Sequence, residues 1–140
     1  MSINYCNEDV PAPRIQKRKM NSWIKETIIS ESKTLGDISF IFCSDDYLLE
    51  VNKQYLNHDY FTDIITFDYV ENNVISGDIF ISCDRVKENA LGFKTGFENE
   101  LSRIIIHGVL HLLGYKDKAK KDKLLMTQKE DFYLKNLSNS

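Results

Sequence analysis

Disulfide frameworks, membrane spans and secretion signals leave marks that this chain does not carry. Its 140 residues hold three cysteines, Cys6, Cys43 and Cys83, an odd number without C-x-x-C spacing. That argues against a disulfide framework or a thiolate zinc site and favours a reducing compartment. No segment approaches the ~18 consecutive apolar residues of a membrane helix. The start, MSINYCNEDVPAPR, has no basic stretch leading into an apolar one. A soluble, cytoplasmic protein is the expectation, with no membrane partner. There is no internal repeat, low-complexity tract or linker, so residues 1–140 are expected to form one domain. A net charge of −3 makes no global case for nucleic acid. Two local runs do: RIQKRK (14–19) carries four cations, and KDKAKKDK (116–123) carries five lysines against two aspartates. Each is either a solvated helix start or a rim that attracts phosphate.

What is present, 42% hydrophobic and 28% charged residues, suffices for a real core. SINYCN (2–7) alternates as a short strand, and PAP (11–13) closes it and launches a helix. Met20, Trp23, Ile24, Thr27 and Ile28 recur at helical spacing to about Ser32. DISFIFC (37–43) is a strand by its β-branched and aromatic content. Ser44 can cap a helix over DDYLLEVNKQYL whose stripe is Leu48, Val51 and Tyr55. DIITFDYV (63–70) and GDIFISC (77–83) lie too close for a crossover helix and should form a hairpin. A helix from about Asp84 to Leu91 follows. Thr95 and Glu98 then offer a capping box for a helix over 97–113. A last helix from about Lys120 to Leu137 carries Leu124, Leu125, Met126, Phe132 and Leu134, and SNS is a frayed tail. The expected fold is α+β: a mixed four-stranded sheet packed by about five helices.

The helix over 97–113 carries the chemistry. Leu101, Ile104, Ile105, Ile106, Val109, Leu110, Leu112 and Leu113 surround it, so it is buried. Arg103, His107 and His111 break that surface at intervals of four and line up on one stripe. Histidines at i and i+4 can bridge one tetrahedral Zn²⁺, although a histidine on an apolar face is also an ordinary core residue. Gly114 stands where a left-handed turn would reverse the chain and bring Asp117 back as third ligand. The spacing H-x-x-x-H-x-x-G-x-x-D is that of a long metalloprotease zinc motif with aspartate in the last place. A peptidase would need glutamate after the first histidine, and Gly108 stands there. Glycine inside a helix points to a close approach by backbone or substrate.

HGVLHLLGY (107–115), LNHDYFTDIITF (56–67) and GDIFIS (77–82) together resemble the YbeY family of bacterial single-domain endoribonucleases. The resemblance implies a zinc-dependent, single-strand-specific endoribonuclease with one Zn²⁺ per chain. Its implied work is processing the 3′ end of small-subunit ribosomal RNA and ribosome quality control, with RNA and the ribosome as partners. Carried over, the ligands are His107, His111 and Asp117, the last in place of the family's third histidine. The family's arginine after the residue matching Tyr55 is Leu56 here. Arg103 is a candidate substitute, or the partner of Glu100 in an ordinary salt bridge. His58, Asp59, Thr62 and Asp63 precede a strand; turn and capping chemistry is the ordinary account of Asp59 and Thr62, a surface histidine that of His58, and no general base is identified. A nonenzymatic, metal-stabilised ribosome-assembly factor is the alternative from another class.

Overall fold

Two apolar runs, residues 34–43 and 74–82, form neighbouring parallel strands at the centre of the sheet and organise the rest. In the computed structural model, which describes residues 1–138, the elements run β1 (Ser2–Asn7), α1 (Lys17–Ser30), β2 (Thr34–Cys43), α2 (Asp45–Leu56), β3 (Ile64–Asp68), β4 (Val74–Ser82), α3 (Cys83–Gly92), α4 (Phe97–Leu112) and α5 (Lys120–Ser138). The sheet order is β1-β2-β4-β3. β2 pairs parallel with β1 and β4, whereas β3 runs antiparallel to β4 at the edge. The expected mixed four-stranded α+β sheet and its five helices are therefore present.

Alternation along the strands divides the interior in two. Phe40, Phe42, Ile79 and Ile81 face α1 and α4 and share a core with Trp23, Ile105 and Leu110. On the opposite face Cys43 and Ile65 pack with Leu48 and Val51 of α2. The α4 helix comes very close to the sheet. A Cβ added at Gly108 would lie 3.0 Å from the side chains of Ile64 and Ile79. The close approach expected at this glycine is to the sheet, not to substrate. Gly77 does the same from the other side, where an added Cβ would meet the Phe67 carbonyl oxygen at 2.6 Å and Leu112 at 2.8 Å.

Several local expectations shift. The hairpin turn is tighter than ENNVIS suggested, because Asn72 and Asn73 both take positive φ (51° and 66°). Two such residues make the mirror-image turn that suits strand twist, and β4 therefore begins at Val74. Thr95 is not the cap of α4. The backbone N–H of Thr95 closes the end of α3 on the Ala90 carbonyl (2.9 Å), Gly96 takes the cap position without a side-chain bond, and the Thr95 hydroxyl accepts from Asn99 instead. Tyr55 leaves the stripe of α2 and lies exposed, edge-on to Phe67, while Asn52 is buried in its place. On α5 the buried residues are Met126, Glu130 and Tyr133, and Leu124, Leu125 and Phe132 are exposed. The phase of α5 is set by polar anchors: Trp23 Nε1 donates to the Tyr133 carbonyl at 2.7 Å. Ser138 ends α5, and the rest of the expected frayed tail lies outside the described residues.

Gly77→Ala should destabilise the protein by about 1–3 kcal/mol through overpacking against backbone. The check is the denaturant midpoint, with an unchanged m-value showing that the native state alone is affected.

Candidate metal centre

The histidine stripe of α4 emerges at the end of the sheet-packed helix. His107 and His111 are partly buried, with side chains 19% and 24% exposed. Gly114, at φ +104°, ends the helix in a left-handed turn. In that turn the N–H of Tyr115 bonds the Leu110 carbonyl and the N–H of Gly114 bonds the His111 carbonyl, both at 3.0 Å. This pairing is a Schellman closure, which sends the chain back along the helix end. Asp117 consequently returns to the histidines. His107 Nε2, His111 Nε2 and Asp117 Oδ2 form a triangle with edges of 3.0, 3.1 and 3.2 Å. Bonds of about 2.0–2.1 Å to a tetrahedral ion place neighbouring donors ~3.3 Å apart. These three side chains could hold a metal ion.

Hydrogen bonding at the other ring nitrogens decides what the triangle can do. His107 Nδ1 lies 2.6 Å from Glu130 Oε2, and His111 Nδ1 lies 3.0 Å from the carbonyl oxygen of Tyr115. A carbonyl only accepts, so His111 carries its proton on Nδ1. The Glu130 carboxylate draws the His107 proton to Nδ1 in the same way. In the neutral rings both Nε2 atoms then turn lone pairs toward the Asp117 oxygen, an arrangement that a cation at the centre would hold, and the outer acceptors fix the ring orientations.

Glu130 was not identified from sequence, although a charged residue on the buried stripe Met126, Glu130, Tyr133 was the available signal. It receives Arg103 Nη1 at 2.8 Å, while Arg103 Nη2 donates to Asp131 at 2.7 Å. Arg103 thus reaches across to α5. Glu100, its expected partner, is buried and acts on it at longer range, and burial pushes the Glu100 carboxyl up. Both terminal nitrogens of Arg103 are engaged by carboxylates of α5, one of them the Glu130 that also meets His107. A second anchor holds the turn. Tyr115 Oη donates to Glu31 Oε1 at 2.6 Å, and Tyr133 Oη and Lys129 Nζ also donate to Glu31.

Burial alone would lower the His107 pKa, but the Glu130 hydrogen bond and the charges of Glu130, Asp117 and Asp63 outweigh it and raise it. Burial pushes the Asp63 carboxyl up, opposed by His107 and Arg85. Asp63 therefore belongs to the surroundings of the site. His58 and Asp59 are exposed on the preceding loop, and Thr62 bonds its own strand start. Leu56 is 38% exposed at the end of α2. The lysine run at 116–123 flanks Asp117 and enters α5. The RIQKRK run instead opens α1 and lines a cleft with Glu98 and Leu101, near the opposite end of α4.

Glu130→Ala should weaken metal binding by about 10–100-fold, as removal of an outer partner does elsewhere. Glu130→Gln should fall between, because its amide oxygen still accepts from Nδ1. Competition against a chromophoric chelator measures both; equal affinities in all three proteins would remove Glu130 from the site.

Comparison with known proteins places the chain in a family. The sequence profile of the family described as Endoribonuclease YbeY matches residues 4–138. An Endoribonuclease YbeY of Parabacteroides distasonis is 53% identical over 131 residues, covering 94% of this chain and 92% of that protein. One from Flavobacterium psychrophilum is 58% identical over 114 residues, 81% of each chain. A solution structure from Thermotoga maritima superposes with a TM-score of 0.68 at 28% identity, covering 97% of this chain and 89% of that one. With a profile match over nearly its whole length and relatives at about half identity, the chain belongs to the YbeY endoribonuclease family.

Proposed function

We propose that the protein is a zinc-dependent endoribonuclease of the cytoplasm that hydrolyses single-stranded RNA. Its work on this reading is maturation of the small-subunit ribosomal RNA 3′ end and ribosome quality control, with the ribosome as partner. The observation that carries the proposal is the triangle of His107 Nε2, His111 Nε2 and Asp117 Oδ2, with edges of 3.0–3.2 Å. Zn²⁺ suits two imidazoles and a carboxylate, and the family membership supplies the substrate class.

When bound, the ion supplies Lewis-acid chemistry, polarising a phosphoryl oxygen and lowering the pKa of water. The protein's own residues do the rest. Glu130 and the Tyr115 carbonyl hold the imidazoles in the donor tautomer. Asp117, whose side chain is 36% exposed, leaves one side of the site open to a strand. Lys116 and Lys118 stand exposed beside it, where they can attract phosphates. Burial pushes the Asp63 carboxyl up, against the opposing charges of His107 and Arg85. Gly108 contributes no acid or base, which separates this site from a peptidase, and it serves packing instead.

His107→Ala and Asp117→Ala should each lose metal and RNA cleavage together, and chelation should silence the unaltered protein. Asp117→His should retain zinc. It replaces an anionic ligand by a neutral one, so the ion keeps more of its charge, water becomes more acidic and the rise in cleavage moves to lower pH. Metal content and pH–rate profiles on the same samples test this. Full zinc and cleavage in Asp117→Ala would place the third ligand elsewhere.

A further inference from the structure

The loop between α2 and β3 exposes aromatic rings that the core does not use. Tyr60 is 55% and Phe61 46% exposed. The loop is nevertheless held at both ends. Asn57 turns the chain at φ 58°. The amide of Asn52, itself 1% exposed, donates to the Tyr60 carbonyl at 2.9 Å. The N–H of Ser82 on β4 donates to the Asp63 carbonyl at 3.0 Å. Rings on such a loop are presented to solvent by a fixed backbone.

Their arrangement is also ordered. His58 and Tyr60 stack with centroids 5.1 Å apart and planes 20° from parallel, and Tyr60 Oη is hydrogen-bonded to His58 Nδ1 at 3.0 Å. The guanidinium of Arg85, on α3, lies over the Phe61 ring, 5.4 Å from its centroid. Asp45 takes Arg85 Nε with both oxygens, at 3.0 and 3.2 Å. The side chain is thereby aimed, and it remains 32% exposed. Three residues past Phe61, Ile64 packs on α4, its Cδ1 3.0 Å from a Cβ built at Gly108, the neighbour of His107. The loop that carries the rings therefore runs into the strand on which the candidate metal helix rests.

We propose that Tyr60 and Phe61, with His58 behind and Arg85 beside them, form a platform on which unpaired nucleobases of the RNA stack while Arg85 holds an adjacent phosphate. This rests on the endoribonuclease reading and says how that site selects single strands. Every base has a π-face, so stacking is tolerant of sequence, but a base inside a duplex has no face to offer. Rings already held in place, Tyr60 by its stack with His58 and Phe61 by the Arg85 guanidinium, lose little side-chain freedom on binding, and arginine is suited to phosphate geometry.

The test mixes the full-length, metal-loaded chain with an unpaired oligoribonucleotide carrying 2-aminopurine, and with the same strand in a duplex. Fluorescence immediately after mixing reads stacking, and cleavage is followed in the same samples. The unaltered protein should quench the unpaired probe. Phe61→Leu and Tyr60→Leu, which keep apolar bulk without a ring, should weaken single-strand binding by roughly 5- to 150-fold each, matching about 1–3 kcal/mol per stacked base. Duplex binding should not change, and Tyr60→Phe should keep the quench. Arg85→Gln should flatten the salt dependence of single-strand binding by about 0.7 in slope. Full quenching in both leucine variants, or equal losses on single strand and duplex, would overturn the platform. Quenching without cleavage would leave the platform standing and overturn the hydrolase reading; cleavage without quenching would do the reverse.

Discussion

Two imidazoles one helical turn apart can converge on a single point only if the far nitrogen of each ring has surrendered its proton-bearing side to an acceptor. In this protein one acceptor is the Glu130 carboxylate, from α5, and the other is the Tyr115 carbonyl, from the turn after α4. Much of the surrounding architecture follows from meeting those two demands. The first requires α5 to lie along α4 with a buried charge, which Arg103 partly neutralises. The second requires the chain to reverse at Gly114, and the same reversal delivers Asp117. Desolvation of the carboxylate at Glu130 is offset by two charge-assisted hydrogen bonds, one to each neighbour on α4.

Close packing supplies the rigidity that such convergence needs. Glycine at 108 and at 77 removes the atoms that would otherwise hold α4 off the sheet, so the helix carrying the ligands lies directly on Ile64 and Ile79. The absence of an acid at position 108 is therefore informative about structure before it is informative about mechanism. The residue faces the sheet, and a glutamate there would be driven into Ile64 and Ile79.

How much could be read from sequence depends on how local each feature is. The strands, the hairpin, the buried α4 and the candidate ligands at 107, 111 and 117 all follow from spacing within a few turns of chain. The cap of α4 and the phase of α5 do not. Thr95 has the right side chain and the right spacing, but its backbone is already committed to closing α3. Leu124, Leu125 and Phe132 are left exposed although they are more numerous than the apolar residues that α5 buries, Met126 and Tyr133, and the helix is turned instead by Glu130 and by the bond from Trp23 to the Tyr133 carbonyl. Glu31, which gathers Tyr115, Tyr133 and Lys129 from more than 80 residues away in sequence, leaves no local trace at all.

The three donors occupy a stretch of eleven residues, whereas Glu130 lies 23 positions beyond His107. An unfolded chain can thus still gather His107, His111 and Asp117 around an ion by closing short loops, but it cannot hold the tautomers that the folded state imposes. Ion binding would then be shared between the two states, and a bound ion would stabilise the protein only by the difference in their affinities. That difference would reside in the outer acceptors rather than in the three donors. In thermodynamic terms such a site is a chelating peptide whose surplus affinity would measure how completely α5 and the turn at Gly114 have docked.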